Sequence, residues 1–152
     1  MDRPAYSHDL SGLIQEKALH WSVAWVDNQR IDQINILNAA YEAMHKAFDQ
    51  LTVCPDHLII DGNRFKPYKN IPHTCIVKGD SKYLSIAAAS VLAKTYRDDY
   101  MLDLHEKYAM YDWNKNKGYA TFKHRLSVIQ NGISPYHRRS FNLDAIQLKL
   151  DF

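Results

Sequence analysis

Two aspartates stand at positions where a carboxylate could bind a metal ion. Asp61 ends the apolar run "HLIID", and Asp80 follows the run "HTCIV" after Lys78 and Gly79. Side chains that follow neighbouring parallel strands meet at one edge of a sheet, so both carboxylates could face one crevice. Two close carboxylates repel each other unless a cation neutralises them, and oxygen ligands of this kind suit magnesium or manganese.

The same residues also fit a purely structural role. Asp61-Gly62 and Gly79-Asp80 are pairs that commonly form tight turns after strands, and the spacing alone favours turns over a metal site. Asp98, further along the chain, could support a metal ligand from behind or could be an ion-pair partner on a helix.

The elements around the two aspartates are predicted from short apolar runs. Residues 57–60 and 73–77 are typical of buried strands. A long helix is predicted from about 82 to 108, with Asp80 or Ser81 as its N-cap.

The rest of the chain contains more helix than strand. A possible cap at Asp27 or Asn28 precedes the clearest amphipathic helix, in which apolar residues recur every three or four positions: Ile34, Leu37, Tyr41, Met44, Phe48 and Leu51. Short helices are predicted over 8–19 and about 121–131, the second ended by Asn131-Gly132. A strand is predicted over 20–26, since Trp21, Val23 and Trp25 alternate.

Length and composition favour one globular domain over residues 1–152, with a helical part from about 82 to 152. Apolar residues make up 46% of the 152 residues and charged residues 24%, which is typical of a globular protein. No apolar run approaches the roughly 20 residues of a membrane helix, and no secretory signal is visible. Cys54 and Cys75 lack metal-ligand spacing, so a cytoplasmic location without membrane contact is expected.

The charge is distributed unevenly along the chain. Residues 1–61 hold 4 Lys/Arg against 9 Asp/Glu, whereas residues 62–152 hold 15 against 8. Aromatic residues interleave with the basic ones over 64–68 and 115–123. This pattern suits a polyanionic partner such as a nucleic acid, although a solvated basic surface explains the charge equally simply.

Four sequence blocks together resemble bacterial ribonuclease HII. They are "IDGN", "VKGDSKYLSIAAASVLAKTYRDDYM", "NKGYATFKHR" and "SPYHRRSF", and their order matches that family from about Lys17 to Leu143. The resemblance implies an α/β fold of the ribonuclease H type, a mixed sheet flanked by helices. It favours a metal site over turn chemistry for both aspartates.

The resemblance also implies an activity and its residues. Members of that family cleave the RNA strand of RNA–DNA hybrids and cut beside single ribonucleotides in duplex DNA, using Mg²⁺ or Mn²⁺. Asp61 and Asp80 match two of the family's metal ligands and catalytic residues. Asp98 stays the candidate for a supporting residue. The substrate-binding residues expected from the resemblance are Tyr119, Lys82, His137 and Arg138. The family resemblance also leads us to expect a monomer.

One part of the family pattern is not found. The family begins with a strand carrying an Asp-Glu-Ala-Gly-Arg-Gly motif, which supplies two further carboxylates and the loop that grips the ribonucleotide 2′-hydroxyl. "MDRPAYSHDLSG", the first segment here, contains neither this motif nor the Asp-Ser-Lys motif expected after the next strand. We therefore expect the fold to lack its first two strands and the cleavage to be impaired. The alternative is a catalytically inactive nucleic-acid-binding remnant.

Overall fold

The computed structural model describes residues 3–140, with side chains from residue 8 onward. Two compact units can be distinguished: Met1–Trp25 with Leu37–Tyr96, and Val26–Ile36 with Arg97–Phe152. The single domain expected over 1–152 stays a prediction, and the expected helical part beyond residue 140 lies outside the described residues. Within the described residues, no helix has both the length and the apolar character that crossing a membrane requires.

A parallel pair of strands forms the sheet of the first unit. Strand β1 (Leu58–Asp61) pairs with strand β2 (His73–Ile76), and Asp61 lies opposite Ile76. Both predicted strands are confirmed. Of the mixed sheet that the family resemblance implies, residues 3–140 contain this one pair.

The core of the first unit lies against this sheet. Leu58 and Ile60, which alternate along β1, are buried together with Tyr68. The side chains packed against them are Met44, Phe48, Phe65, Ile71 and Cys75. The apolar run of β1 is therefore buried because a helix and the loop over 64–71 cover one face of the sheet, whereas β2 is only partly buried.

Helix α1 (Arg3–Lys17) confirms the first predicted helix, and helix α2 (Asn28–Gln50) confirms the second. Asp27 caps α2, since its Oδ1 accepts a hydrogen bond of 2.7 Å from the Arg30 backbone N–H. The sequence did not predict a break at Asn35, whose φ of 67° interrupts the helix. Leu37, just beyond the break, is exposed, so not every periodic apolar position of α2 reaches the core.

Helix α3 (Leu84–Lys107) confirms the long helix, with a different start. A 3₁₀ turn at Gly79–Ser81 stands between β2 and α3, entered through Lys78 in the left-handed region at φ 56°. The Ser81 hydroxyl donates to the Lys78 carbonyl, and the carbonyl of Tyr83 accepts the first bond of the helix from Ala87. Tyr83 therefore occupies the capping position that we assigned to Asp80 or Ser81.

The strand predicted over residues 20–26 is wrong. The chain there has no regular secondary structure, because an alternating pattern forms a strand only with a backbone ladder beside it. Side-chain contacts hold the segment instead. Ser22 Oγ donates a 2.6 Å hydrogen bond to the carbonyl of Ala47, and the rings of Trp21 and Tyr96 lie 6.2 Å apart.

The second unit has its own core. A 3₁₀ turn at Ala109–Tyr111 leads into the short helix α4 (Trp113–Asn116) and then helix α5 (Phe122–Asn131). The predicted helix at 121–131 is confirmed, and Gly132 ends it at φ 77°. The buried residues of this core are Leu104, Tyr111, Trp113 and Val128.

Candidate metal centre and nucleic-acid interface

The Asp61 carboxylate is held in place by a backbone hydrogen bond. Asp61 ends β1, and its Oδ1 accepts a 2.8 Å bond from the N–H of Gly79. Gly79 is buried, and a Cβ at this position would lie 2.7 Å from the Ile86 Cδ1 atom. A side chain at this position would therefore have to displace the Ile86 side chain beside the turn that orients the carboxylate.

Asp80 follows Gly79 directly and lies in the same unit as Asp61. It is exposed in the 3₁₀ turn that follows β2, the strand paired in parallel with β1. The expected pairing of the two strands is therefore confirmed. The donors are carboxylate oxygens, which fit a hard divalent cation, but the described residues contain no group of three or more His, Cys, Asp or Glu that could hold one. The ligand assignment stays a prediction.

Lys82 is an exposed cation two residues after Asp80. Its Nζ donates a 2.9 Å hydrogen bond to the carbonyl of Val77, so the side chain folds back over the turn that carries Asp80. An ammonium group in this place could bind a phosphate close to Asp80. Its substrate contact stays a prediction.

Tyr119 presents an open ring in the second unit. Its side chain is 63% exposed, and the Arg97 guanidinium carbon lies 4.8 Å from the ring centroid. Arg97 also donates a 2.8 Å bond to the carbonyl of Lys117, which ties it to the "NKGY" turn. Gly118 occupies this turn at φ 78°. An aromatic ring fixed on one face and open elsewhere is suited to stacking.

Asp98 is half-buried on α3 in the second unit. Its backbone carbonyl lies 3.5 Å from Lys117 Nζ, the donor. Asp61 and Asp80 belong to the first unit, and a supporting role for Asp98 behind them stays a prediction.

His137 lies within a cluster of aromatic rings. The centroid of its ring is 4.6 Å from that of Tyr111, 5.2 Å from Trp113 and 5.3 Å from the stacked ring of His124. Its Nδ1 accepts a 3.0 Å bond from the backbone N–H of Ser134, and its Nε2 is buried. Burial, with the nearby His124, lowers the pKa of His137 to about 4. The ring is thus placed to anchor the "SPYHRRS" loop, and its contact with substrate stays a prediction.

Arg138 follows His137 and is half-buried. The backbone around it is held by Asn28 and Asp32 of α2, two residues that we did not single out from the sequence. The Asp32 pKa is lowered, first by the Ser140 hydroxyl, then by the Arg139 backbone N–H, and also by the charge of Arg138. Only a contact map could have found these partners, since they lie more than a hundred residues apart in the chain.

The fold defines the class of this protein. The crystal structure of the ribonuclease H2 from Pyrococcus horikoshii superimposes with a TM-score of 0.79, covering 94% of this chain and 75% of that one at 20% identity. The chain therefore has the fold of that enzyme, which confirms the α/β class expected from the sequence.

The family follows from closer relatives. The family model of ribonuclease HII matches residues 7–144. The ribonuclease HII of Bacteroides thetaiotaomicron is 61% identical over 145 residues, covering 94% of this chain and 72% of that protein. The enzyme from Christiangramia forsetii is 56% identical over 143 residues, with the same two coverages. The chain belongs to the ribonuclease HII family, and the resemblance read from its four sequence blocks is confirmed.

Proposed function

We propose that this protein is an endonuclease that cleaves the RNA strand of RNA–DNA hybrids and cuts beside single ribonucleotides in duplex DNA. Membership of the ribonuclease HII family supports a ribonuclease. The observation that carries the proposal to particular residues is the position of Asp61 and Asp80 after two strands that pair in parallel. Carboxylates at that edge of the sheet are where an α/β enzyme places its reactive groups.

Asp61 and Asp80 would hold Mg²⁺ or Mn²⁺. When bound, such an ion activates water for attack on a phosphodiester and stabilises the leaving 3′-oxygen. The protein's own contribution is orientation. The Gly79 N–H fixes one Asp61 oxygen, and the second oxygen of that carboxylate would be the metal ligand. A supporting role of Asp98 for these ligands is part of the proposal.

Substrate contacts are proposed for residues of each unit. Tyr119 would stack against the sugar or base at the DNA–RNA junction, since its ring is exposed and backed by Arg97. Lys82 would bind a phosphate close to Asp80. Arg138 would do so from the "SPYHRRS" loop, together with His137 of the same loop. A basic surface of this kind gives binding that weakens steeply with salt.

The metal role of Asp61 is testable on the 152-residue chain by nuclear magnetic resonance. Mn²⁺ titrated into the wild-type protein should broaden the amide signals of Gly79, Asp80 and Gly62 first, because a paramagnetic ion relaxes nearby nuclei most. Asp61→Asn keeps an oxygen that can accept the Gly79 hydrogen bond but removes the charge. The Mn²⁺ concentration needed for the same broadening should therefore rise by about tenfold or more.

The matched control is Asp56→Asn, which removes one exposed carboxylate just before β1. It should leave the Mn²⁺ titration unchanged. Equal broadening in wild type and Asp61→Asn would show that Asp61 is not a ligand.

A catalytically inactive nucleic-acid-binding protein is the second candidate. It is favoured by the excess of Lys and Arg over Asp and Glu in residues 62–152 and by the exposed ring of Tyr119. Salt-dependent binding of a hybrid duplex with no cutting in Mg²⁺ or Mn²⁺ would support it.

A further inference from the structure

The first turns of helix α2 hold the basic loop of the second unit by its backbone. The Asn28 side-chain amide donates two hydrogen bonds of 2.9 Å, one to the carbonyl of Pro135 and one to that of His137. Asp32, one turn further along α2, accepts bonds of 2.8 and 3.1 Å from the backbone N–H groups of Arg139 and Ser140. The Ser140 hydroxyl donates to the same carboxylate.

These contacts leave the cationic end of the loop facing solvent. The backbone of residues 135–140 is fixed at four points, and the ring of His137 is enclosed among aromatic side chains. The side chain of Arg139, by contrast, is exposed. A guanidinium group on a rigid backbone loses less conformational freedom on meeting a phosphate than one on a mobile loop.

We infer that Asn28 and Asp32 are positioning residues that fix the loop 134–140, and that Arg139 is a phosphate-contacting residue on it. The inference rests on the proposed binding of a nucleic-acid duplex. The partner is the phosphodiester backbone, because the loop presents the exposed guanidinium group of Arg139 on a backbone that is held in place. Neither Asn28 nor Asp32 needs to touch the substrate.

The direction in which loss of the Asp32 carboxylate changes nucleic-acid binding distinguishes a positioning role from a purely electrostatic one. A carboxylate close to bound phosphates repels them, so its removal as a bare charge would strengthen binding. If Asp32 acts by fixing the loop, its removal weakens binding instead. Asn28 provides an independent check, because Asn28→Ala removes two hydrogen bonds without changing the charge.

The experiment measures binding of a fluorescent RNA–DNA hybrid to the 152-residue chain in EDTA over a series of salt concentrations. We expect Asn28→Ala and Asp32→Asn to weaken binding by about threefold to tenfold. The slope of log Kd against log salt should fall by about one, the change expected for one lost phosphate contact. Arg139→Gln should lower the slope equally, because it removes the charge and leaves the loop contacts in place.

Three controls accompany these variants. Asp56→Asn matches the charge change on an exposed site in the other unit and should not weaken binding. Ser140→Ala removes only the hydroxyl contact and should have a smaller effect than Asp32→Asn. Amide hydrogen exchange should be slow at Arg139 and Ser140 in the wild type and fast in Asp32→Asn, without faster exchange in α5.

Unchanged or tighter binding by Asn28→Ala and Asp32→Asn would overturn the inference while leaving nucleic-acid binding intact. Fast exchange of the Arg139 and Ser140 amides in the wild type would also overturn it, whatever the binding shows. A wild-type chain that does not bind the hybrid at any salt concentration would overturn the proposed function, and the inference with it.

Discussion

At the scale of single residues, Gly79 links sterics to the chemistry of the candidate site. Its N–H orients Asp61, and its missing side chain leaves room for Ile86. The glycine is favoured by this contact rather than by backbone conformation, since its φ is not among the positive values. The "KGD" block therefore combines a steric requirement at Gly79 with a carboxylate at Asp80.

Gly79→Ala should destabilise the protein by about 1–3 kcal/mol, because the new methyl group overlaps the Ile86 Cδ1 atom. The free energy of unfolding is measured by urea titration. Ile86→Val removes the overlapping atom and alone costs about 0.5–1.5 kcal/mol.

The double variant provides the control for this prediction. Gly79→Ala with Ile86→Val should be more stable than the sum of the two single losses predicts, because the second change relieves the overlap caused by the first. Strict additivity of the two losses would mean that Ile86 is not the obstacle.

Some functional residues could be predicted from the sequence and others could not. Asp61 and Asp80 were singled out from apolar runs that end in carboxylates, a local signal. Asn28 and Asp32 gave no such signal, because their loop partners lie more than a hundred positions away. His137 was selected by its sequence block, which does not report that its ring is enclosed.

At the scale of elements, local sequence patterns predicted the strands and helices that depend on local apolar periodicity and capping. Strands β1 and β2 and helices α2 and α5 follow from apolar periodicity and from Asp27 or Gly132 at their ends. The strand predicted over 20–26 was wrong because an alternating pattern determines which face of a strand would be buried. It does not supply a neighbouring strand to pair with. The break at Asn35 was missed because the residues around it continue the helical apolar period.

The loop that carries His137 should make folding stability depend on pH. The pKa of this imidazole is about 4 in the folded protein, below its ordinary value of 6.5, so the unfolded chain binds the proton more readily. The stabilisation is fully present above about pH 6.5 and is lost as the pH falls from there towards 4. The groups in contact with His137 are the rings of Tyr111, Trp113 and His124 and the polar atoms of Ser134.

Urea unfolding at pH 7, 6 and 5 checks this prediction. The midpoint should fall with pH in the wild type, and the fall should be smaller in His137→Phe, which keeps a ring in the cluster but cannot be protonated. His57→Gln is the matched control, because His57 is exposed in the first unit and should leave the pH dependence unchanged. An equal fall in wild type and His137→Phe would place the pH sensitivity elsewhere.

At the scale of the whole molecule, the fold class and family were readable from the sequence, and the chemistry of the site was readable only in part. The block order defines the family, and the fold of the Pyrococcus horikoshii enzyme agrees with it. The structure places Asp61 at the end of β1 and Asp80 in the turn after β2, the strand paired with β1, whereas the family pattern calls for four carboxylates. Catalytic power depends on this difference, because a two-metal site clamps both the attacking and the leaving oxygen.

We therefore predict that the 152-residue chain cuts a duplex with one embedded ribonucleotide slowly or not at all in Mg²⁺ or Mn²⁺. Two carboxylates leave the ions weakly held, and no Gly-Arg-Gly loop in the N-terminal segment is available to read the 2′-hydroxyl. Adding a segment that carries the Asp-Glu-Ala-Gly-Arg-Gly motif, fused to the chain or supplied separately, should raise the cutting rate by at least about a hundredfold. The segment supplies both the missing ligands and the loop that contacts the 2′-hydroxyl.

The same segment with its Asp-Glu pair changed to Asn-Gln should still associate but should not raise the rate. Robust cutting by the unaided chain, abolished in its Asp61→Asn variant so that a contaminating nuclease is excluded, would contradict the prediction and would mean that other acids, such as Asp98 or Asp99, complete the site.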